Sequence, residues 1–442
     1  MISDDDIRAT LREQEYAKVQ AEQEAKPNGA AQCESATAAP ESIAAGWRSR
    51  LLLTKYGAAR AVVANAIIAL RHAPEWQGVL HFNESSLATV AKRALPFEGA
   101  PIVPFEWTDE HDIRTAAWLQ HQGISVNKDV TGQAVQAIAR EHPFHPIRDY
   151  LDSLKWDGIN RIDDWLTLYL GAEPSHYVRA VGAKFLIGGA ARVYRPGVKN
   201  DSCPILEGLQ GILKSTALRT LAGDEFFTDD VAELGSKDSV LQTRGVWIIE
   251  LSELDAMTRG EVSRVKAFMS RQVDRIRPPY GRRVIEAPRE CIFAGTVNKS
   301  TYLKDETGNR RFWPVKCGLI KIPELKRDRD QLWAEACRRF RANDTWWLDT
   351  PALVNAAAEE VGERYDGDPW DEIIAKWIAD RDSVSVPEVL GQCLIKSKET
   401  WTQTDQSRVG RSLTARGWCR KQKRSGDERE WRYFPPVTSV TT

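Results

Sequence analysis

The stretch CPILEGLQGILKSTALRTLAG, Cys203 to Gly223, decides the fold. A short apolar run, Pro204-Ile205-Leu206, is followed by the turn Gly208-Leu209-Gln210-Gly211-Ile212-Leu213, then by Lys214-Ser215-Thr216, then by an apolar periodic segment that stops at Gly223. That order reads as strand, phosphate loop, helix. A helix N-terminus presents unpaired N–H groups and the positive end of the peptide dipole, so a loop that wraps a polyphosphate there needs little else to bind anions. Gly208, Gln210, Gly211, Ile212, Leu213, Lys214, Ser215 and Thr216 form the expected ATP-binding loop. Lys214 reaches the β- and γ-phosphates, and Ser215 offers its hydroxyl to Mg²⁺. One letter departs from G-x-x-x-x-G-K-[ST]: Leu213 stands where glycine normally supplies a permissive backbone. The competing account is an ordinary strand–turn–helix with a solvent lysine.

Two further apolar strands belong beside this one. Val246-Trp247-Ile248-Ile249 ends in Glu250, with Ser252, Glu253 and Asp255 just after it. A phosphate-loop ATPase needs a neighbouring strand to carry one carboxylate to Mg²⁺ and another to polarise the attacking water. Glu250 takes the metal role and Glu253 the base, with Asp255 behind it; alone, this stretch reads better as a strand before a solvated acidic helix start. Cys291-Ile292-Phe293-Ala294 leads to Gly295-Thr296-Val297-Asn298, where Asn298 can hold the lytic water near the γ-phosphate. Downstream, Arg310 and Arg311 follow a Gly-Asn turn and can supply one guanidinium to the transition-state phosphate across a subunit boundary.

Between these strands, VDRIRPPYGRRVIEAPRE (273–290) reads as a hairpin with turn chemistry at Pro278-Pro279-Tyr280-Gly281. Arg275, Arg277, Arg282 and Arg283 flank its tip, which suits contact with a DNA backbone plus stacking on a base. A solvated basic turn explains it as well.

A chain of 442 residues with net charge −1 predicts two or three domains and no bulk attraction to nucleic acid. There is no run of eighteen apolar residues and the N-terminus MISDDDIRAT is acidic, which excludes export and membrane insertion. The seven cysteines carry no C-x-x-C pair, which argues for a reducing, cytoplasmic setting and against structural zinc. The division expected is a disordered or frayed leader (1–45), a small mostly helical domain (46–145), an ATPase domain with a helical lead-in (146–320), a helical segment (321–380) and a winged-helix domain (381–442). In the last, Val386 to Leu394 and Asp405 to Arg420 read as helices. Arg408, Arg411 and Arg416 lie on the second, which is the candidate for a DNA major groove. KQKRSGDERE then reads as a charged turn before a strand at Trp431–Phe434. His142 and His145, flanked by prolines, read as surface or cap residues rather than metal ligands.

In series, FHPIRDYLDSLKWDG (144–158), EGLQGILKSTALRTLAG (207–223), WIIELSELDAM (247–257), VKAFMSRQVDRIRPPYGRR (265–283), GTVN (295–298) and GNRRFWPV (308–315) resemble the virulence-associated protein E family of bacteriophages and mobile genomic islands. That family looks like a branch of the superfamily 3 helicases. The resemblance implies an α/β fold with an AAA+-like core, ATP and Mg²⁺ at Lys214 and Ser215, and an acidic motif at Glu250 and Glu253. It also implies a sensor at Asn298, a finger at Arg310 or Arg311, and a hairpin facing DNA inside a homo-oligomeric ring. The function expected is a DNA-dependent ATPase, a helicase or replication initiator. The alternative is a nucleotide-gated DNA-binding regulator or origin-recognition protein with little hydrolysis.

Overall fold

The computed structural model describes residues 46–97, 102–230, 237–254, 256–277, 283–303, 309–364, 369–425 and 428–436. The leader 1–45, Asp255 and Arg282 lie outside the described residues.

The chain divides into two compact units. Among the described residues the first comprises 46–77, 95–97 and 110–134. Its helices are α1 (Val63–His72), most of α2 (Asp109–His121) and the first half of α3 (Lys128–Ala139). Buried Asn65 satisfies the chain ahead of α1: its Oδ1 accepts from the Leu52 amide at 2.7 Å and its Nδ2 donates to Leu52 O at 2.9 Å. Trp76 meets Trp118 edge-on, with ring centroids 5.6 Å apart.

In the second unit, β1 (Leu80–Asn83), β2 (Ala88–Ala91), β3 (Phe105–Glu106) and β4 (Pro143–Phe144) form a four-stranded sheet in the order β3-β2-β1-β4. This corrects the expectation that 46–145 is one mostly helical domain. Strands of two to four residues are too short for an alternating pattern to stand out from loop sequence. His145 is the N-cap of α4 (Pro146–Ser153), accepting from the Arg148 amide at 3.1 Å while Nε2 meets Glu290 at 2.9 Å.

After α5 (Trp165–Leu170) comes α6 (His176–Tyr194), predominantly apolar and buried along most of its length. The chain then enters β5 (Cys203–Glu207), buried at every position, and α7 (Lys214–Ala222). β6 (Phe227–Thr228), α8 (Lys237–Gln242), β7 (Ile248–Leu251) and α9 (Arg259–Met269) follow. The hairpin β8 (Val273–Ile276) and β9 (Ile285–Pro288) runs on into β10 (Ile292–Val297), and β11 (Phe312–Lys316) comes after it. β11-β5-β10-β7-β6 is a five-stranded sheet in which every pairing is parallel. Parallel strands need a covering on both faces. One face packs against α6 and α10 (Ile322–Arg341), where Trp247 and Trp333 stack with centroids 3.9 Å apart and Trp333 Nε1 donates to Leu221 O. Gly189 on α6 lets this happen, since a Cβ there would come within 2.9 Å of the Trp333 ring. Because α10 and α11 (Pro351–Glu363) pack on this sheet, the expected boundary at 320/321 is not one: the helices complete the sheet domain.

Past them, α12 (Trp370–Ile378), α13 (Val386–Glu388), a π-helical turn at Val389–Cys393, and α14 (Gln403–Ala415) lead to the antiparallel ribbon β12 (Cys419–Ser425) and β13 (Glu428–Phe434). They share a core of their own, with Ile374, Val384, Val389, Val409, Leu413 and Tyr433. The stretch expected as a charged turn, 421–430, instead runs from β12 into β13, and the described side chains of β12 are all exposed and so show no alternation. Among the described residues no helix is long and apolar enough to cross a membrane.

Trp333→Ala should remove about 3–5 kcal/mol from the sheet domain, the usual cost of truncating a fully buried Trp. In urea titration followed by circular dichroism, the main transition should move to lower denaturant.

Candidate functional site

In a parallel sheet the open crevice lies beyond the carboxyl ends of the strands. Here β10 sits between β5 and β7, with Glu207 opposite Val297 and Glu250 opposite Ala294. The loop leaving β5, Asn298 leaving β10 and Glu250 near the end of β7 therefore gather at one place. They surround a cavity of about 330 Å³, lined also by Gln210, Gly211, Leu213, Lys214, Ser215, Thr216, Ser252, Glu253 and Thr296.

Lys214 is 6% exposed. Its Nζ donates to Gly208 O at 2.8 Å, to Leu209 O at 2.9 Å and to Asn298 Oδ1 at 3.1 Å. The loop thus curls around the ammonium, which ties it to the end of β10. One residue along, Ser215 Oγ donates to Glu250 Oε1 at 2.7 Å, and Thr296 Oγ1 donates to the same oxygen at 2.5 Å. Glu250 is 2% exposed, and its Oε2 has no hydrogen-bond partner among the described residues. A buried carboxylate oxygen left in that state is costly unless something cationic or hydrogen-bonding meets it.

The loop backbone explains the odd letter. Leu213 takes φ 75, ψ 27, the left-handed conformation glycine would take, and its side chain stays 48% exposed at the cavity. For an L-residue that conformation costs about 1–2 kcal/mol. Gly211 at φ 83 and Gly208 at φ 151 need their glycines; a Cβ on Gly208 would lie 2.5 Å from Ile212 Cδ1. Glu253 is also left-handed, at φ 53. Non-glycine residues in such conformations concentrate at functional sites.

Beneath the loop, Glu207 is held rigidly. Tyr302 Oη and Arg364 Nε both donate to its Oε1 at 2.8 Å, and Arg364 Nη2 donates to Oε2 at 3.1 Å. Burial and the adjacent Glu207 push the Tyr302 hydroxyl well above its ordinary pKa, which keeps it a donor. Burial pushes the nearby Cys317 thiol up to about 12, so it stays neutral beside Lys214.

Arg310 and Arg311 do not line the cavity. Arg310 is exposed, while Arg311 donates to Ser270 Oγ at 2.9 Å and pairs with Asp201 at 3.0 Å. At the hairpin, Arg275 is paired across the strands with Glu286 at 2.9 Å, so it is not a spare cation; Arg283 is exposed. The hairpin base is locked into the core. Arg289 grips Asp274 through two hydrogen bonds of 2.6 and 2.9 Å, and Arg244 donates to Ala287 O at 2.7 Å and Pro288 O at 2.8 Å. On α14, Arg408 stacks 3.6 Å over the Trp370 ring, and Arg416, just past the helix, donates to Asp371 O at 2.6 Å. These arginines hold the C-terminal helices together instead of facing a groove.

Sequence reasoning left Thr296, Tyr302 and Arg364 unassigned. Thr296 was findable, because residues i and i+2 of a strand share a face and Asn298 was already in view. Arg364 was not: it lies 157 residues from Glu207.

Residues 151–365 match the model of the virulence-associated protein E-like domain. No curated protein matches the sequence. Three solved structures of the NrS-1 C-terminal region are similar in fold. The two apo structures of residues 305–718 share 12% and 14% identity with this chain, with TM-scores of 0.43 and 0.42, and cover 81% and 80% of it and 96% and 95% of their own length. An A form apo structure of the same region has 13% identity and a TM-score of 0.45, covering 80% of this chain and 96% of its own.

Leu213→Gly should raise the thermal midpoint by relieving the left-handed strain, net of glycine's entropy cost of about 0.5–1 kcal/mol. Leu213→Val should lower it, since a β-branched residue tolerates positive φ worst. Equal midpoints for the two variants in differential scanning calorimetry would contradict the loop conformation described.

Proposed function

As a member of the virulence-associated protein E-like family through residues 151–365, this chain, we propose, is a DNA-dependent ATPase with an AAA+-like phosphate-loop core, acting in DNA replication as a helicase or initiator. The observation that carries the reading is the meeting of Lys214, Ser215, Glu250, Glu253 and Asn298 around one cavity at the carboxyl ends of three adjacent parallel strands.

The 208–215 loop and the N-terminus of α7 suit a triphosphate, whose oxygens would replace Gly208 O, Leu209 O and Asn298 Oδ1 as partners of Lys214. Glu250 and Ser215 fit Mg²⁺: a buried carboxylate with one oxygen unpartnered, bonded to a hydroxyl, is a donor set that Mg²⁺ completes with water and phosphate oxygens. When bound, the ion would screen the phosphate charge. In hydrolysis a water oxygen bonds to the γ-phosphorus, the bond to the bridging oxygen breaks, and Glu253 accepts the water's proton while Asn298 orients it. Arg310, exposed and outside its own chain's cavity, suits the site of a neighbouring subunit in a ring. The hairpin tip, with Arg277, Arg282 and Arg283, would face DNA, and the C-terminal segment would be a winged helix.

The second reading, a nucleotide-gated regulator with little turnover, draws on Leu213, whose side chain borders the cavity where most such loops have none.

Phosphate release with Mg²⁺-ATP should rise on adding DNA, and Lys214→Ala should reduce it by about 100-fold or more. Glu253→Gln should lower turnover by about 10²–10⁴ while leaving nucleotide binding near wild type. Wild type and Lys214→Ala equally inert with every DNA tried, yet binding ATP, would favour the regulator. In mixed assemblies, Arg310→Ala subunits should depress activity more than in proportion to their share.

A further inference from the structure

Along α14 the exposed side chains include Gln403, Thr404, Gln406 and Ser407, none of them ionised, and Arg411 is partly buried. α12 exposes Lys376 beside the exposed Glu372. A denser group of cations lies on the ribbon. Arg420, Lys421 and Lys423 are all exposed, and among the described residues none has a carboxylate partner. Arg432, by contrast, is closed off by Glu388 at 2.8 Å and Glu430 at 2.9 Å, so the acid at the ribbon's root is neutralised from within.

The pairing register fixes which side each residue takes. Arg420 opposes Tyr433 and Gln422 opposes Trp431, while Lys421 opposes Arg432 and Lys423 opposes Glu430. Directly opposed residues of an antiparallel pair share a face. Tyr433 is buried in the core with Val409 and Leu413, so the side that carries Arg420 and Trp431 is the one turned toward α14. There the Trp431 ring is 50% exposed, with the Arg420 guanidinium 4.6 Å from its centroid. An exposed indole backed by a guanidinium, with two lysines on the opposite side of a narrow ribbon, is the combination that holds single strands: cations follow the phosphates while a base stacks on the ring.

We propose that the 419–434 ribbon binds single-stranded DNA, with Arg420, Lys421 and Lys423 on the backbone and a base stacked on Trp431. This deepens the proposed action on DNA by giving it a second contact, separate from the hairpin at 273–288 and from the nucleotide cavity.

The test uses the full chain without nucleotide, titrated against a fluorescently labelled oligo-dT and a duplex of the same length at several salt concentrations. Arg420→Glu/Lys421→Glu/Lys423→Glu should weaken oligo-dT binding by about tenfold or more. It should also flatten the slope of log affinity against log salt by about 2, the sum of three single-strand phosphate contacts. Trp431→Ala should weaken it by about 5- to 100-fold with the slope unchanged, and Trp431→Phe should recover most of the loss. Where the triple variant fails to fold, Lys421→Gln/Lys423→Gln serves with a smaller slope change. Variants that bind oligo-dT as wild type does, or that lose duplex and keep single strands, overturn the proposal. ATP hydrolysis with and without DNA, measured on the same preparations, separates the two claims. A wild type inert under both conditions with ribbon-dependent oligo-dT binding sinks the ATPase alone, and DNA-stimulated turnover together with oligo-dT binding untouched by the ribbon variants sinks the ribbon alone.

Discussion

One carboxylate organises the site. Glu250 sits 2% exposed on β7 and accepts hydrogen bonds from Ser215, at the start of α7, and from Thr296, on β10. Three separate segments therefore meet on a single buried oxygen, and that meeting is possible only because β10 lies between β5 and β7. A buried carboxylate is tolerable when its lone pairs are met. Both of the hydrogen bonds go to Oε1, and Oε2 has no partner among the described residues.

The same strand that delivers Thr296 to this carboxylate, and leads on to Asn298 beside Lys214, begins at the hairpin. β9 ends at Pro288, Arg289 clamps Asp274 across the base, and β10 starts at Ile292. Arg244, just ahead of β7, holds the opposite side of that base. The hairpin is thus anchored to the starts of the two strands whose far ends carry Glu250 and Asn298. Beneath the loop, the Glu207–Arg364–Tyr302 network fixes the last residue of β5 before the chain turns. Broken by removal of one partner, such a buried pair costs about 3–5 kcal/mol, so the loop's starting point is stiff while its middle carries the strain.

Much of this was legible in the chain. CPILE reads as a fully buried strand because a parallel strand covered on both faces has no polar alternation, and the loop glycines and the Lys-Ser pair mark the turn. What escaped notice had physical reasons. β11 carries Pro314, which reads as a breaker, yet β11 is an edge strand, where a missing N–H does little harm. The strands around 80–144 are too short to show a period, and β12, exposed along its described length, shows none. At the site, residue types and spacing led to Lys214, Ser215, Glu250 and Asn298. Arg364, Tyr302 and the pairings that spend Arg275, Arg408 and Arg416 are long-range facts that no local pattern encodes.

The most direct test asks whether the buried oxygen of Glu250 is reserved for a cation. Titration calorimetry of a non-hydrolysable ATP analogue, with Mg²⁺ and with chelator, reads this without relying on turnover. Wild type should bind about tenfold or more tightly with Mg²⁺, and Glu250→Gln should lose most of that Mg²⁺ effect, since the neutral amide brings no negative charge to the ion. A wild type indifferent to Mg²⁺, or a Glu250→Gln variant that keeps the full Mg²⁺ effect, would contradict the account.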